Sequence, residues 1–237
     1  MLAAEAVRLA AIEVLSPTAA NVAGTGFPTL AGNRVFDSRA VSVRELDRYR
    51  AFTPVLSLYT VESGSKLRSN ISVAIDRDAD AVIDIVAELA VSVKDDGETF
   101  TDAMASDDPE ARLVLAALTS QVRYLLEHAP SGSLFRRVVR AVTNVEIKTF
   151  AAPELGLRWQ RQTIRLHCAI CDDDFDVPDG ELPEPCRSLL LRLPEQSYAR
   201  AKLTALAAHF AQQPLPPLES LAIETAPGAI AEALPQP

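Results

Sequence analysis

The sequence predicts an α+β fold: a mixed or antiparallel sheet flanked by helices, followed by a proline-rich C-terminal extension that contains one helix. The first observation behind this prediction is the segment Ala81–Lys94, in which every second residue from Ala81 to Val93 is apolar. Side chains two apart lie on one face of a strand, so the segment is predicted to be a long strand with one buried face. The second observation is a pair of alternating runs, Val142–Phe150 and Arg158–Ile170, separated by the turn-like sequence APELG. These two runs predict a hairpin.

Helical spacing of apolar residues is the third observation. In Leu2–Leu15 the apolar side chains recur on one broad face, and charged residues interrupt the run, which predicts an amphipathic helix. The sequence DDPE at Asp107–Glu110 is a strong helix start, since acids and a proline suit the first turn. The helix that it opens is expected to run to about His128. Its buried residues are predicted to be Leu113, Ala117, Val122, Leu125 and Leu126.

A helix is the alternative for the long segment, because Asp80, Asp84 and Glu88 lie four residues apart and would form a polar stripe on a helix. We favour the strand because the segment is rich in valine and isoleucine, whose branched β-carbons suit a pleated surface. Such a strand would span roughly 45 Å, which exceeds the usual strand length. We therefore expect one end to project beyond the sheet and to touch a neighbour.

Shorter elements fill the rest of the first part of the chain. Ser16-Pro17 is expected to end the first helix, and the Gly- and Pro-containing stretch Ala19–Asn33 is expected to be a loop. The further predictions, in order, are a strand at Arg34–Asp37, a helical turn capped by Ser42 with Glu45, a strand in VLSLYT after Pro54, a turn in ESGSKLRSN, a short strand in NISVAIDR and a turn at Lys94–Gly97.

Beyond Ile170 the composition changes, since ten of the 16 prolines lie between Pro178 and Pro237. Proline cannot donate to a sheet ladder, so this part is not expected to belong to a regular sheet. We predict a first domain at residues 1–174 and an extension at residues 175–237. Within the extension, LPEQSYARAKLTALAAHFAQQ predicts a helix at about 195–212 that begins at Pro194-Glu195. The remainder is expected to be an extended arm, of a kind that is often ordered only against another subunit.

Charge and composition narrow the range of functions. Lys and Arg total 23 against 32 Asp and Glu, a net charge of -9, and a surface of this sign repels a phosphate backbone. Sequence-specific nucleic-acid binding is therefore not expected, although a lumen through which DNA slides would suit this charge. Three cysteines argue against a disulfide framework and indicate a reducing compartment. No run approaches 18 apolar residues, so we expect a soluble protein without a membrane span.

One segment resembles a zinc site. His167-Cys168-x-x-Cys171, together with Cys186, supplies four potential ligands, and the two-residue gap between the first two cysteines matches metal-ligand spacing. Adjacent residues of a strand point to opposite faces, however, so His167 and Cys168 are not expected to share an ion. We therefore predict no zinc site and no cofactor.

Two acidic runs resemble calcium ligands. Asp76-x-Asp78-x-Asp80 looks like the start of a calcium loop, but the glycine and the final glutamate of such a loop are not in place. An acidic turn before a strand explains these residues equally well. The run Asp172–Asp174 is predicted to be a solvated surface.

No catalytic constellation is recognisable in the sequence. The chain has no nucleophile elbow, phosphate loop or dinucleotide fingerprint, and none of its three histidines lies in a recognisable nucleophile motif. We therefore predict that the protein is not an enzyme. Arg136, Arg137 and Arg140 form the one basic cluster. This cluster is predicted to be a solvated face, or alternatively an interface to acidic neighbours or to passing DNA.

The order of several segments resembles the tail-terminator proteins of long-tailed phages. The segments are the leading helix, a strand with RVFDSR, a strand with PVLSLYT, the long alternating strand, the capped helix and a closing hairpin, VEIKTF followed by GLRWQRQTIRLHC. They cover residue 1 to about residue 174. The proline-rich extension with its helix departs from the family pattern.

The resemblance implies a ring of six copies that caps the tail tube, stops its polymerisation and joins the tail to the head-side neck. The implied partners are other copies of the chain, the tail tube protein and a head-side neck or stopper protein. Double-stranded DNA is implied only as passing cargo, and no membrane is involved. The implied location is the tail or neck of the virion, after assembly in the host cytoplasm. Another neck or head-completion protein is the first alternative, and a metal-binding enzyme is the second.

Rings of this family have an acidic channel, which agrees with the net charge of -9. The acids that we expect to line it are Asp84, Glu88, Asp95 and Asp96, because they alternate with the buried face of the long strand or lie at its end. If DNA passes through such a ring, a lining of this sign would prevent it from sticking.

Overall fold

The longest strand of the protein, β3 (Arg77–Asp95), lies at the centre of one six-stranded sheet, and helices cover one face of this sheet. A computed structural model describes residues 1–46, 51–68, 77–95, 98–103, 109–150, 161–178 and 180–211. The fold is α+β, as predicted, and the long alternating segment is a strand rather than a helix.

The remaining elements follow in chain order. The helices are α1 (Leu2–Leu15), α2 (Thr18–Ala23), α3 (Pro109–Arg123), α4 (Ser133–Val138), α5 (Cys186–Arg192) and α6 (Tyr198–Phe210). The other strands are β1 (Val35–Asp37), β2 (Thr53–Leu67), β4 (Glu98–Ala103), β5 (Val139–Thr149) and β6 (Arg161–Ile170). A π-turn, Tyr124–His128, continues α3, and short 3₁₀ turns occur at Val43–Glu45 and Pro130–Gly132.

The strands lie in the order β1-β2-β3-β6-β5. The edge strand β1 runs parallel to β2, and the other neighbours are antiparallel. The strands β5 and β6 pair with each other, so the predicted hairpin is confirmed. Its connecting residues, 151–160, lie outside the described chain.

The far end of β3 projects beyond the main sheet, as its length predicts. Strand β6 pairs with residues 79–88 of β3, and β4 pairs with residues 90–95. Ala90 has Thr53 of β2 as one partner and Ala103 of β4 as the other, so β4 lies along the same edge of β3 as β6 does. Because β2 begins at Thr53, residues 91–95 of β3 continue with β4 as a two-stranded hairpin.

Helix α1 is the central helix of the covering layer. Ten of its 14 residues are buried, because it contacts β2 and β3 below it and α4, α5 and α6 around it. The predicted bounds of this helix are confirmed, but a single apolar face is too narrow a description. Its many alanines allow neighbouring elements to approach closely on several sides.

The hydrophobic core lies between the sheet and the helices and continues into the proline-rich extension. The sheet contributes alternate, fully buried residues such as Leu58, Ile83, Ile85 and Leu166. The extension contributes residues of the same core, which are Leu182, Cys186, Leu189, Leu193, Ala199 and Leu203. Burying a leucine side chain stabilises a fold by about 1.5–3 kcal/mol, so the described part of the extension is a substantial portion of this core.

Two predicted loops are partly regular structure. The stretch Ala19–Asn33 was expected to be a loop, yet its start belongs to α2, because Glu13 accepts hydrogen bonds from the backbone and hydroxyl of Thr18 at 2.9 Å each. Gly24 then ends α2 with a left-handed backbone, φ 69°. The predicted turn in ESGSKLRSN is wrong up to Leu67, since β2 continues to that residue against β3.

The sequence-based predictions also missed three elements and misplaced one helix start. The missed elements are β4, α4 and α5. Helix α6 begins at Tyr198 rather than at Pro194-Glu195, because Ser197 is its N-cap and accepts a hydrogen bond from the Arg200 amide. The segment NISVAIDR lies almost wholly outside the described residues, and so does the predicted arm after Ala211.

Helix α3 does not bury all the residues that its pattern predicts. Val122, Leu125 and Leu126 are buried, as expected. Leu113 and Ala117, in contrast, are exposed, and Leu113 keeps 70% of its surface. The helix packs on β3 and β6 through Leu115 and other residues of its opposite side.

Candidate interaction surface on the helix-free face of the sheet

One face of the sheet carries no helix among the described residues, and we call it the helix-free face. The strand registers place the outward residues in rows across the sheet, since partners in adjacent strands point the same way. These outward residues include Tyr59 and Glu62 of β2, Asp80, Asp84, Val86 and Glu88 of β3, Arg161, Thr163, Arg165 and His167 of β6, and Asn144, Glu146 and Lys148 of β5. At one end a small cluster of Phe36, Val41, Val55 and Ala90, with Leu46 packed against it, covers this face.

Ion pairs connect β3 and β6 across the helix-free face. The Arg165 guanidinium binds both carboxylate oxygens of Asp84, at 2.8 and 2.7 Å. Four residues further along each strand, Arg161 Nε donates to Glu88 at 2.7 Å. Both pairs are direct cross-strand partners, a position in which opposite charges stabilise a sheet. The hydrogen bonds and charge of Asp84 raise the pKa of the Arg165 guanidinium above its usual range.

A third strand extends this charged surface. Glu146 of β5 lies opposite Arg165 in the register, and its carboxylate is 2.8 Å from Lys148 Nζ and 3.6 Å from His167 Nε2. The hydrogen bond from Lys148 lowers the pKa of Glu146. Acidic and basic side chains therefore alternate from β3 across β6 to β5. This face carries a pattern of both charges and is not uniformly acidic.

Asp84 and Glu88 lie on the polar face of β3, as the alternation predicts, but they are largely covered there. Their side chains keep only 14% and 9% of their surface, because an arginine of β6 covers and neutralises each one. The sequence shows that both acids lie on the polar face but not which strand lies beside them. Asp95 is the last residue of β3, and its side chain and Asp96 lie outside the described part of the chain. A channel role for these four acids stays a prediction.

Two other acids of the same face are exposed and form no ion pair within the described residues. They are Glu62 of β2 and Asp80 of β3. Simple alternation along β2 would place Glu62 on the covered face. A bulge between Thr60 and Glu62 shifts the strand by one residue and turns Glu62 outward. The sequence gives no signal for this bulge, so the residue was missed.

The basic cluster divides into two parts. Arg136 donates to the carbonyl oxygens of Leu126 at 3.0 Å and Ala129 at 2.8 Å, so it ties α4 to the end of the π-turn. Gly132 allows this close approach, since a Cβ there would collide with the Leu125 carbonyl. Arg137 and Arg140 are exposed and have no hydrogen bond or ion pair in the described structure. An interface role stays a prediction for these two.

The acidic run Asp172–Asp174 is structural rather than merely solvated. The Asp173 carboxylate accepts hydrogen bonds from the backbone amides of Leu2 at 2.9 Å and Ala3 at 2.6 Å, and thereby caps the start of α1. Asp172 accepts hydrogen bonds from the Ser65 hydroxyl and from the Asp173 amide. These carboxylates therefore join β2, the end of β6 and α1.

The possible zinc ligands do not converge. His167 points to the helix-free face, whereas its neighbour Cys168 is buried on the covered face. Cys186 lies in α5, where its thiol donates to the Leu2 carbonyl at 3.4 Å. Burial raises the pKa of both Cys168 and Cys186 to about 12. Within the described ranges, no group of three or more His, Cys, Asp or Glu residues is arranged to hold a metal ion.

A cleft of about 520 Å³ lies between the end of α1, α2, β1 and the start of α6. Its charged groups are paired: the Tyr198 hydroxyl donates to Asp37 at 3.0 Å, and Arg39 binds Glu45 at 2.9 and 2.7 Å. Desolvation and the hydrogen bond to Asp37 raise the pKa of Tyr198 to about 12. The described lining residues include no histidine or cysteine.

Comparison with known proteins gives no match to a family model and no match to a curated sequence. Among the described residues, no helix has both the length and the apolar character needed to cross a membrane.

Proposed function

We propose that the chain is a structural phage assembly protein, a tail terminator without enzymatic activity. In this proposal six copies form a ring that caps the tail tube, stops its polymerisation and joins the tail to a head-side neck or stopper protein. The ring is assembled in the host cytoplasm and resides in the tail or neck of the virion. Double-stranded DNA passes through it without being bound.

The observation that carries this proposal is the position of the segments that resemble the family. RVFDSR contains β1, PVLSLYT lies in β2, and the closing hairpin is β5 and β6. All of these strands belong to one sheet around β3. Segments that are far apart in the sequence therefore form one surface, as a shared assembly role would require.

The edges of this sheet support a closed assembly. Besides β4 in the projecting hairpin, β1 and β5 are the outer strands of the described sheet, and an outer strand offers unpaired backbone groups to another chain. The two edges differ in length and direction, so copies that meet edge to edge would form a head-to-tail contact. A contact of this kind generates a ring when its rotation closes.

The charges support a channel that does not hold DNA. The net charge of -9 repels phosphates, and Glu62 and Asp80 are exposed acids on the helix-free face that form no ion pair within the described residues. Asp84 and Glu88 contribute less to such a lining, because their arginine partners cancel their charge at short range. If the helix-free face lines the channel, Glu62 and Asp80 are the acids that repel the passing DNA.

Electron cryo-microscopy of the parent particle tests the proposal directly. We expect density for a ring of this chain at the head-proximal end of the tail tube, and purified protein added to growing tubes should stop their elongation. A ring located only on the head side, with no effect on tube growth, would favour the alternative of a head-completion protein. Stoichiometric zinc in the purified protein would favour the metal-binding enzyme.

A matched pair of variants separates edge assembly from folding. Ile147 lies on β5 and Val22 on α2, with 45% and 68% of their surfaces exposed. We expect Ile147→Asp to abolish rings while the monomer keeps its circular dichroism spectrum, because a charge at the edge opposes strand pairing. Val22→Asp should assemble normally. Normal rings from Ile147→Asp would show that β5 isn't part of the subunit contact.

A further inference from the structure

Helix α3 and the π-turn that continues it present a largely apolar stripe to solvent, and we call this surface the α3 stripe. It consists of Leu113, Ala117, Ser120 and Tyr124, which follow one another at helical spacing and are all exposed. Leu113 keeps 70% of its surface and Tyr124 keeps 58%. The sequence pattern predicts burial of Leu113 and Ala117, and the described fold does not provide it. Such a mismatch indicates a surface that another segment covers.

Two hollows flank the first turns of the α3 stripe. One, of about 390 Å³, is lined by residues of α3 and by Thr149 and Gln162 at the ends of β5 and β6. The other, of about 360 Å³, lies between Val114 and a group of apolar residues, Leu30, Ala51, Phe52 and Pro54. A ridge of exposed apolar residues between two hollows suits an extended peptide whose side chains enter the hollows alternately.

The chain carries a segment of matching chemistry beyond Ala211. Residues 212–237 contain leucine and isoleucine together with six of the chain's 16 prolines, and they contain three glutamates but no lysine or arginine. The hollow beside Leu113 has Arg112 at its rim. Apolar residues for the hollows and acids for this arginine make the segment complementary to the α3 stripe.

The described chain ends at Ala211, after α6, and α1 contacts both α6 and the π-turn that continues α3. The Ala211 backbone lies beside Gly180, where a Cβ would come within 3.4 Å of it. In a head-to-tail ring, opposite sides of neighbouring copies face each other. A segment of 26 residues spans up to about 85 Å when extended, so an arm that continues from α6 of one copy can reach the α3 stripe of the next.

We propose that the α3 stripe is the docking site for the C-terminal arm, residues 212–237, of a neighbouring copy. This inference rests on the proposed ring, and it adds the contact that joins adjacent subunits outside the sheet. Leu113 and Tyr124 supply the apolar contacts, and Arg112 receives a glutamate of the arm. In this proposal, residues 212–237 of one copy contact the neighbouring copy rather than the rest of their own chain.

Photocrosslinking in the full-length protein tests the contact. The photoreactive amino acid p-benzoylphenylalanine replaces Tyr124 in unlabelled subunits, and these are mixed with an equal amount of ¹⁵N-labelled wild-type subunits. Trypsin leaves the arm in one peptide that begins at Leu203, because no lysine or arginine follows Lys202. We expect adducts at position 124 to contain this C-terminal peptide, about half of it ¹⁵N-labelled for random mixing. The same photoreactive residue at Leu191, which is 74% exposed on α5, is the control site.

Two further variants show whether the stripe itself holds the arm. Leu113→Asp should reduce the adduct yield several-fold, whereas Leu191→Asp should leave it unchanged. Adducts only with other peptides, or with unlabelled arm alone, would overturn the proposal, and so would an unchanged yield in Leu113→Asp. Electron microscopy of the same sample keeps this outcome separate from the proposed function, since rings without arm adducts contradict only the docking site. Labelled arm adducts would support the docking site even in a smaller oligomer.

Discussion

Removing the cap of α1 should destabilise the whole protein, although the cap lies 170 residues away in the sequence. Asp173 accepts hydrogen bonds from two amides of the first turn of α1, at 2.9 and 2.6 Å. This helix lies at the centre of the covering layer, with ten of its 14 residues buried. Fraying of its first turn would therefore loosen the packing between the sheet and the extension.

The expected magnitude follows from the two roles of the carboxylate. Loss of an N-cap costs about 0.5–2 kcal/mol, and loss of a negative charge at a helix N-terminus costs about 0.3–1 kcal/mol. For Asp173→Ala we expect a decrease of about 2 kcal/mol in the free energy of unfolding. In a chain of this size that corresponds to about 4–8 °C in Tm. Asp173→Asn keeps one carbonyl acceptor and should lose about half as much.

Urea denaturation at neutral pH provides the measurement, with the midpoint compared at an unchanged slope. The matched control is Asp176→Ala, since Asp176 is exposed and its carboxylate forms no hydrogen bond or ion pair in the described structure. We expect the control to lie within about 0.5 kcal/mol of the wild type. If Asp173→Ala is as stable as Asp176→Ala, the cap does not hold α1 and the reasoning fails.

Three further predictions follow from burial and pKa. In native protein at neutral pH, a thiol reagent should label Cys171 quickly, and it should label Cys168 and Cys186 only after denaturant is added. The reason is that both are buried, and a pKa of about 12 keeps them as thiols. Rapid labelling of all three cysteines would contradict this prediction. The hydrogen bond from Arg39 lowers the pKa of Glu45 to about 2. The ionised Glu45 therefore stabilises the fold fully above its ordinary pKa of 4.5, and this contribution is lost as the pH falls toward 2. In acid denaturation, Glu45→Gln should lose less stability over that pH range than the wild type. Leu203→Ala, at a fully buried position of the extension, should lower the free energy of unfolding by about 2–5 kcal/mol in urea titrations, whereas Leu191→Ala, at an exposed position, should have little effect.

Several features of the fold could be predicted from the sequence because they depend on neighbours close in the chain. The alternation from Ala81 to Val93 is a local pattern, and it identified both the strand and its projecting end. The same holds for the hairpin of β5 and β6, for α1 and for the bounds of α3 with its π-turn. Helix α5 was missed because it is short and lies between prolines, so it lacks a local periodic pattern of sufficient length.

The candidate site depended on contacts between distant residues, and the sequence could not supply them. Polar alternation placed Asp84 and Glu88 on the correct face, but their arginine partners come from a strand more than 70 residues later. The bulge in β2 that turns Glu62 outward is a feature of strand pairing, and local propensity does not encode its position.

By itself, the sequence determined the long strands and helices and which of their faces are apolar, since these properties follow from spacing along the chain. Only the tertiary structure decided which apolar side chains are covered, as the exposed Leu113 shows. It also decided the partner of each carboxylate, which is Arg165 for Asp84 and the first turn of α1 for Asp173. The physical reason is that burial and ion pairing are properties of neighbours in space. Those neighbours are set by packing the whole sheet and its helices together rather than by any one segment.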